Sequence, residues 1–176
     1  MKRSIFCFLL VSILFSSICY ASNEVIDKKE PIYLIKFTND TTHEVVYYLS
    51  LSNKDEDKFM FVDYENIIGI ETPEILYSSY GIIEVFIEIE LKESDKKNYF
   101  KVFLITHEQY HMAALVGQPE LSELLINTMK KGKNIKIIYD IFNPKPDGKN
   151  ASVQRTIKFN LTGFEELYNQ MMILKK

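Results

Sequence analysis

Cysteine is almost missing from this chain of 176 residues, and both copies, Cys7 and Cys19, fall within its first 19 positions. The remaining 157 residues therefore hold neither an internal disulfide nor a thiolate metal site. Glycine is scarce at 6 residues, which excludes a collagenous chain, and the 3 histidines leave imidazole chemistry few places to reside. No low-complexity linker or internal repeat divides the sequence. With 47% apolar and 13% aromatic residues, the chain can fill one core of domain size, so a disordered or polytopic membrane protein is excluded.

Long apolar runs are confined to the start. Lys2 and Arg3 form a positive n-region, Ile5 to Tyr20 an apolar run diluted by serine, and Cys19-Tyr20-Ala21 a cleavage-type ending. This predicts a secretory signal peptide over residues 1–21, cleaved from a single domain over 22–176, with no membrane span after it. Losing Lys2 and Arg3 takes the basic count from 21 to 19 against 24 acidic residues, so the remaining 155 residues carry a net charge of −5. Such a field repels phosphate backbones and anionic lipid heads, which argues against nucleic acid and membrane surfaces as partners. An exported domain of this size without disulfides fits the bacterial periplasm or envelope. The sequons at Asn39, Asn150 and Asn160 would matter only in a eukaryotic secretory pathway.

After a polar lead-in over 22–30, read as loose, the pattern has period two. Ile32 to Thr38 and Glu44 to Leu51 are β-branched and aromatic runs joined by Asn39-Asp40-Thr41-Thr42, the chemistry of a hairpin turn. A short strand comes next at Phe59 to Val62. The clearest strand covers 82–92, where Ile83, Val85, Ile87, Ile89 and Leu91 alternate with Glu84, Glu88, Glu90 and Lys92. One face of such a strand is buried and the other wet, as in an antiparallel sheet. A helix is predicted from Pro119, with Leu121, Leu124, Leu125 and Met129 on one face and Lys130, Lys131 and Gly132 ending it. Strands at 135–141 and 153–161 then form a hairpin with a long loop. Thr162 to Glu165 reads as a capping box opening a terminal helix through Phe164, Leu167, Tyr168, Met171 and Met172.

One string carries recognisable chemistry. His107-Glu108-Gln109-Tyr110-His111 is an HExxH motif. On a helix its two imidazoles lie one turn apart and can hold a Zn²⁺, while Glu108 polarises a metal-bound water as general base. Ser94 as a cap, Gly117 as a stop and a face of Phe100, Leu104, His107, His111 and Leu115 are compatible with that helix. Against it, Tyr99, Phe100, Val102, Phe103, Ile105 and Thr106 favour a strand, which would pair with 82–92. No spacing fixes a third ligand: Glu120 and Glu123 need the next helix to swing back, and His43 lies far upstream. In an extended segment the two histidines sit about 13 Å apart, too far to share one ion. Two weaker features are the acidic loop Asp55-Glu56-Asp57, which lacks the glycine and distal glutamate of a Ca²⁺ loop, and the tyrosines Tyr47, Tyr48, Tyr77, Tyr80 and Tyr99 as a recognition surface.

From Lys101 onward an ordered set of segments resembles a known family. Phe103-Leu104-Ile105 leads into Tyr110-His111-Met112-Ala113-Ala114-Leu115, then the helix 121–131 ending Lys-Lys-Gly, the strand 135–141, and Ile157 to Phe164 running into the last helix. This is similar to the C-terminal half of the invasion-associated locus B family, exported proteins of Gram-negative bacteria. Two cysteines five apart in that family match Thr106 and His111 here. The resemblance implies a β-sandwich-like exported protein, linked in some pathogens to host-cell entry and therefore virulence, without an established reaction, and it sets 107–111 on a hairpin.

The combined expectation is a β-rich α+β domain, antiparallel and sandwich-like, with roughly eight strands and two short helices. Its expected role is non-catalytic: binding a protein partner in the envelope or on a host surface, without cofactor. The alternative is a small secreted zinc metallopeptidase with His107 and His111 as ligands and Glu108 as base.

Overall fold

The computed structural model describes residues 21–53, 58–78, 80–94, 96–107, 111–144 and 150–175. The described residues form ten strands: β1 (Ala21–Lys29), β2 (Ile32–Asn39), β3 (Val45–Asn53), β4 (Lys58–Asp63), β5 (Ile68–Glu71), β6 (Ile82–Leu91), β7 (Lys97–His107), β8 (Met112–Ala114), β9 (Gly132–Pro144) and β10 (Asn150–Asn160). Among the described residues two helices accompany them, α1 (Pro119–Lys131) and α2 (Phe164–Leu174). All strands join one antiparallel sheet in the order β1-β2-β3-β4-β5-β8-β7-β6-β9-β10.

Alternation in the sequence sets which face is buried. Ile83, Val85, Ile87 and Ile89 of β6 point inward beside Val102 and Leu104 of β7 and Ile135, Ile137 and Tyr139 of β9. Met60 and Val62 of β4 and Ile68 and Ile70 of β5 extend the same layer. The sheet curls around the two helices: α1 packs on β6 and β9, α2 on β1, β2 and β3, and the helices touch each other. Leu125, Ile126 and Met129 from α1 and Phe164, Leu167 and Met171 from α2 close the core, all essentially without solvent contact. Each such side chain contributes about 1.5–3 kcal/mol by leaving water.

The expected pairing of 82–92 with 99–106 is present, with Ile83 opposite Leu104 and Val85 opposite Val102. So are the hairpins joining β2 to β3 and β9 to β10. Asn39 closes the first of these by accepting the Thr41 and Thr42 amides on Oδ1, at 2.9 and 3.1 Å.

Four expectations are corrected. Residues 22–30 are not a loose lead-in but most of β1, an edge strand whose pairing with β2 needs no apolar alternation. Ten strands replace roughly eight, since β5 and β8 are four and three residues long, too short to show a period. Leu124 is more than half exposed, and Ser122 and Thr128 share the buried face of α1 in its place. The Thr162 side chain does not cap α2; its N-cap is Gly163, at φ 87°, with no side-chain cap bond.

Candidate functional site

The HExxH string falls at the junction of β7 and β8. His107 ends β7 and stands opposite Met112, the first residue of β8. The backbone at His107 is therefore extended and paired, not wound into the helix that zinc-motif spacing requires. This corrects the alternative in which Phe100 to Leu115 forms a helical face: Lys97–His107 is a strand throughout. The His111 Nδ1–H donates to the Thr72 carbonyl at 3.2 Å, and the His111 carbonyl accepts the Thr72 amide at 3.0 Å. Thr106, the other position matching a family cysteine, donates from both its amide and its hydroxyl to the Gly81 carbonyl, at 2.8 and 3.0 Å. Each family-cysteine position is thus tied to a different neighbouring carbonyl. Glu108, and the acidic loop Asp55-Glu56-Asp57, lie outside the described residues. Among the described residues no three His, Cys, Asp or Glu side chains gather as a metal site.

The tyrosines do not form one surface. Tyr47 packs on the main core, Tyr48 on a small cluster across the sheet, and Tyr80 and Tyr99 project into solvent. Burial, aided by Glu71, pushes the Tyr48 phenol up to about 12.

The arrangement that does stand out is on the convex face of β6 and β7, opposite the helices. Ile82, Phe86, Tyr99, Phe103 and Ile105 are all at least a third exposed there. Strand register brings them together: Ile82 pairs with Ile105, Glu84 with Phe103, Phe86 with Lys101, and Glu88 with Tyr99. On β9, half-buried Ile138 stands opposite Phe86 and continues the apolar surface. The Lys101 ammonium lies 5.5 Å from the centre of the Phe86 ring and 5.4 Å from that of Phe103, and 2.7 Å from the Glu84 carboxylate. The ammonium thus lies over both rings. Two exposed aromatic rings sharing one cation on a sheet are an anchor suited to a protein surface.

Sequence reasoning located this strand pair but missed the patch. The signal was present, because Phe86 interrupts the glutamates at wet positions of β6 and Phe103 takes a wet position of β7.

A buried acid lies in the turn from β4 to β5. Asp63 is 1% exposed, and its Oδ1 accepts the Glu65 and Ile67 amides at 2.8 and 2.9 Å. Its Oδ2 is buried with no hydrogen-bond partner. Burial dominates and pushes its carboxyl up to about 7, against the lowering pull of the two amides and of Lys175. Nearby, the Tyr168 hydroxyl donates to Asn66 Oδ1, and burial and the Asp63 charge raise that phenol.

Comparison of the chain with protein-family models, with curated sequences and with solved structures returns no match.

Proposed function

We propose that this chain is an exported, non-catalytic binding protein of a Gram-negative envelope, and that it grips a protein partner through the convex face of β6 and β7. The observation that carries the reading is the solvent-facing cluster Ile82, Phe86, Phe103 and Ile105 around Lys101. Wet positions of an antiparallel strand ordinarily hold polar residues, and contiguous apolar surface rimmed by charge marks interaction sites. The leader-like start and the resemblance to the invasion-associated locus B family support export and envelope or host contact.

The test is the paired replacement Phe86→Ser with Phe103→Ser, read as recovery of a cross-linked partner from the native envelope. Loss of that partner with the fold unchanged supports the reading, and equal recovery overturns it. Zinc content of the purified chain checks the hydrolase alternative. A near-stoichiometric metal that disappears with His111→Ala would replace the binding reading by an enzymatic one.

A further inference from the structure

The two edges of the sheet are built differently. β1 is guarded: a register shift between Val25 and Asp27 bulges Ile26, and Glu24, Asp27, Lys28 and Lys29 line the strand. Bulges and charges are the devices by which edge strands avoid pairing with other chains. β10 has no bulge and only two charges, Arg155 and Lys158. It pairs with β9 in unbroken register from Asn150–Pro144 to Asn160–Asn134, contains no proline, and exposes Ser152, Gln154, Thr156, Lys158 and Asn160.

Register also shows which backbone groups are free. The Leu161 amide donates to the Lys133 carbonyl at 2.9 Å, just beyond the paired run. Antiparallel bonds recur every second residue, so Phe159, Ile157, Arg155 and Val153 turn their backbone groups to β9. Ser152, Gln154, Thr156 and Lys158 turn theirs to the open edge.

Beside this edge the charges are unbalanced. Lys158 stands directly opposite Lys136 in a pair that exchanges no backbone bonds, the arrangement with the closest side chains. Like charges so placed destabilise a sheet. The neighbouring carboxylates are committed elsewhere: Glu88 to Lys97 at 2.8 Å, and Glu90 to Asn134 at 2.7 Å and Lys133 at 3.7 Å. Lys136 and Lys158 line an open groove of about 470 Å³ with Lys97, Asn134 and Asn160 and with the already paired Glu88 and Glu90. A second cleft of about 220 Å³ continues past Lys158 and Asn160 to Pro31, Tyr33 and Ser52, leaving room alongside the end of β10.

We infer that β10 is a docking edge for an extended acidic peptide, which adds to the sheet as an eleventh strand and places its carboxylates against Lys136 and Lys158. Backbone bonds to the even-numbered residues supply the register, and the lysine pair supplies selectivity for negative side chains. This site adjoins the convex face of β6 and β7, whose Glu88, Glu90 and Lys97 line the same groove, but its strand-pairing contacts stand on β10 and not on Phe86 or Phe103.

The experiment uses the full chain and a fluorescein-labelled peptide of alternating glutamate and valine, with the lysine-for-glutamate peptide as its counterpart, followed by anisotropy. The acidic peptide is expected to bind, to weaken as salt rises, and to outcompete its basic counterpart. Thr156→Pro removes an outward amide while leaving every bond to β9 in place, and is expected to weaken binding about tenfold or more. Lys158→Glu, with Lys158→Gln as the milder variant, is expected to weaken it by about the same factor. Thermal melts of each variant separate lost binding from lost fold. Equal affinity for both peptides, or binding undiminished in a folded Thr156→Pro chain, overturns the inference. So does sedimentation showing β10-dependent dimers without peptide binding, which would make a second copy the occupant.

Discussion

The convex face of the sheet carries apolar side chains in two neighbouring regions, and only one of them is covered. On β4, β5 and β8, Phe61, Met112 and Ala114 are buried with Ile67, and Tyr48 and Val116 pack against them. The chain supplies its own cover there, from the turn before β5 and the segment after β8. On β6 and β7, residues of the same kind, Phe86, Phe103, Ile82 and Ile105, remain open. The two regions are continuous, since Ile105 of β7 stands opposite Ala114 of β8. Residue type therefore does not decide coverage; loop placement does. Among the described residues no loop reaches Phe86 and Phe103, and their surface stays exposed.

The largest expected break in that comparison comes from the covered side. Phe61→Ala empties the buried cluster and is expected to destabilise the fold by about 3–5 kcal/mol in denaturant titration. Next is Gly69→Ala. A Cβ at that position would collide with the Phe61 ring and meet the Ala113 carbonyl at 2.8 Å, so overpacking of about 1–3 kcal/mol is expected.

Comparable in total to the first, but spread over pH, is the effect expected from Asp63, at the end of β4. Its folded-state carboxyl titrates near 7, above the ordinary value of 3.8, so the folded chain holds a proton that the unfolded chain has released. Stability contributed by this group is then complete below about pH 4, falls by at most about 1.4 kcal/mol per pH unit up to about pH 7, and levels off above that. Asp63→Asn should flatten that part of the stability curve, and an unchanged slope would assign it to other groups. The smallest effect belongs to the open side. Phe86→Ser and Phe103→Ser are each expected to shift stability by only about 0.5 kcal/mol, because both rings are more than two-fifths exposed and Lys101 is their charged neighbour. A loss like that of Phe61→Ala would place both rings in the fold and not in a contact surface.

Much of the sheet was legible because β6, β9 and β10 alternate cleanly, and the turn residues around Asn39 and Gly132 mark where one element gives way to another. β1 was not legible: an edge strand half in water carries no apolar period. β8 was not legible either, because Met112, Ala113 and Ala114 are all buried and three residues cannot show alternation. The histidine string drew attention by its spacing alone. Spacing means a shared face only on a helix, and the aromatic and β-branched run before His107 had already favoured a strand. The open patch was missed for a related reason: an alternating pattern directs attention to the buried positions, whereas Phe86 and Phe103 are informative because they occupy the wet ones. Asp63 gave no sequence signal, since only the turn that wraps it makes it buried.

The most direct test of the open face is a photo-reactive phenylalanine analogue placed at 103, compared with one at exposed Leu124 on α1, in cells that express the chain. A discrete covalent adduct at 103 and none at 124 is the predicted result. Adducts absent from 103, or the same at both positions, would contradict the assignment of β6 and β7 as the contact surface.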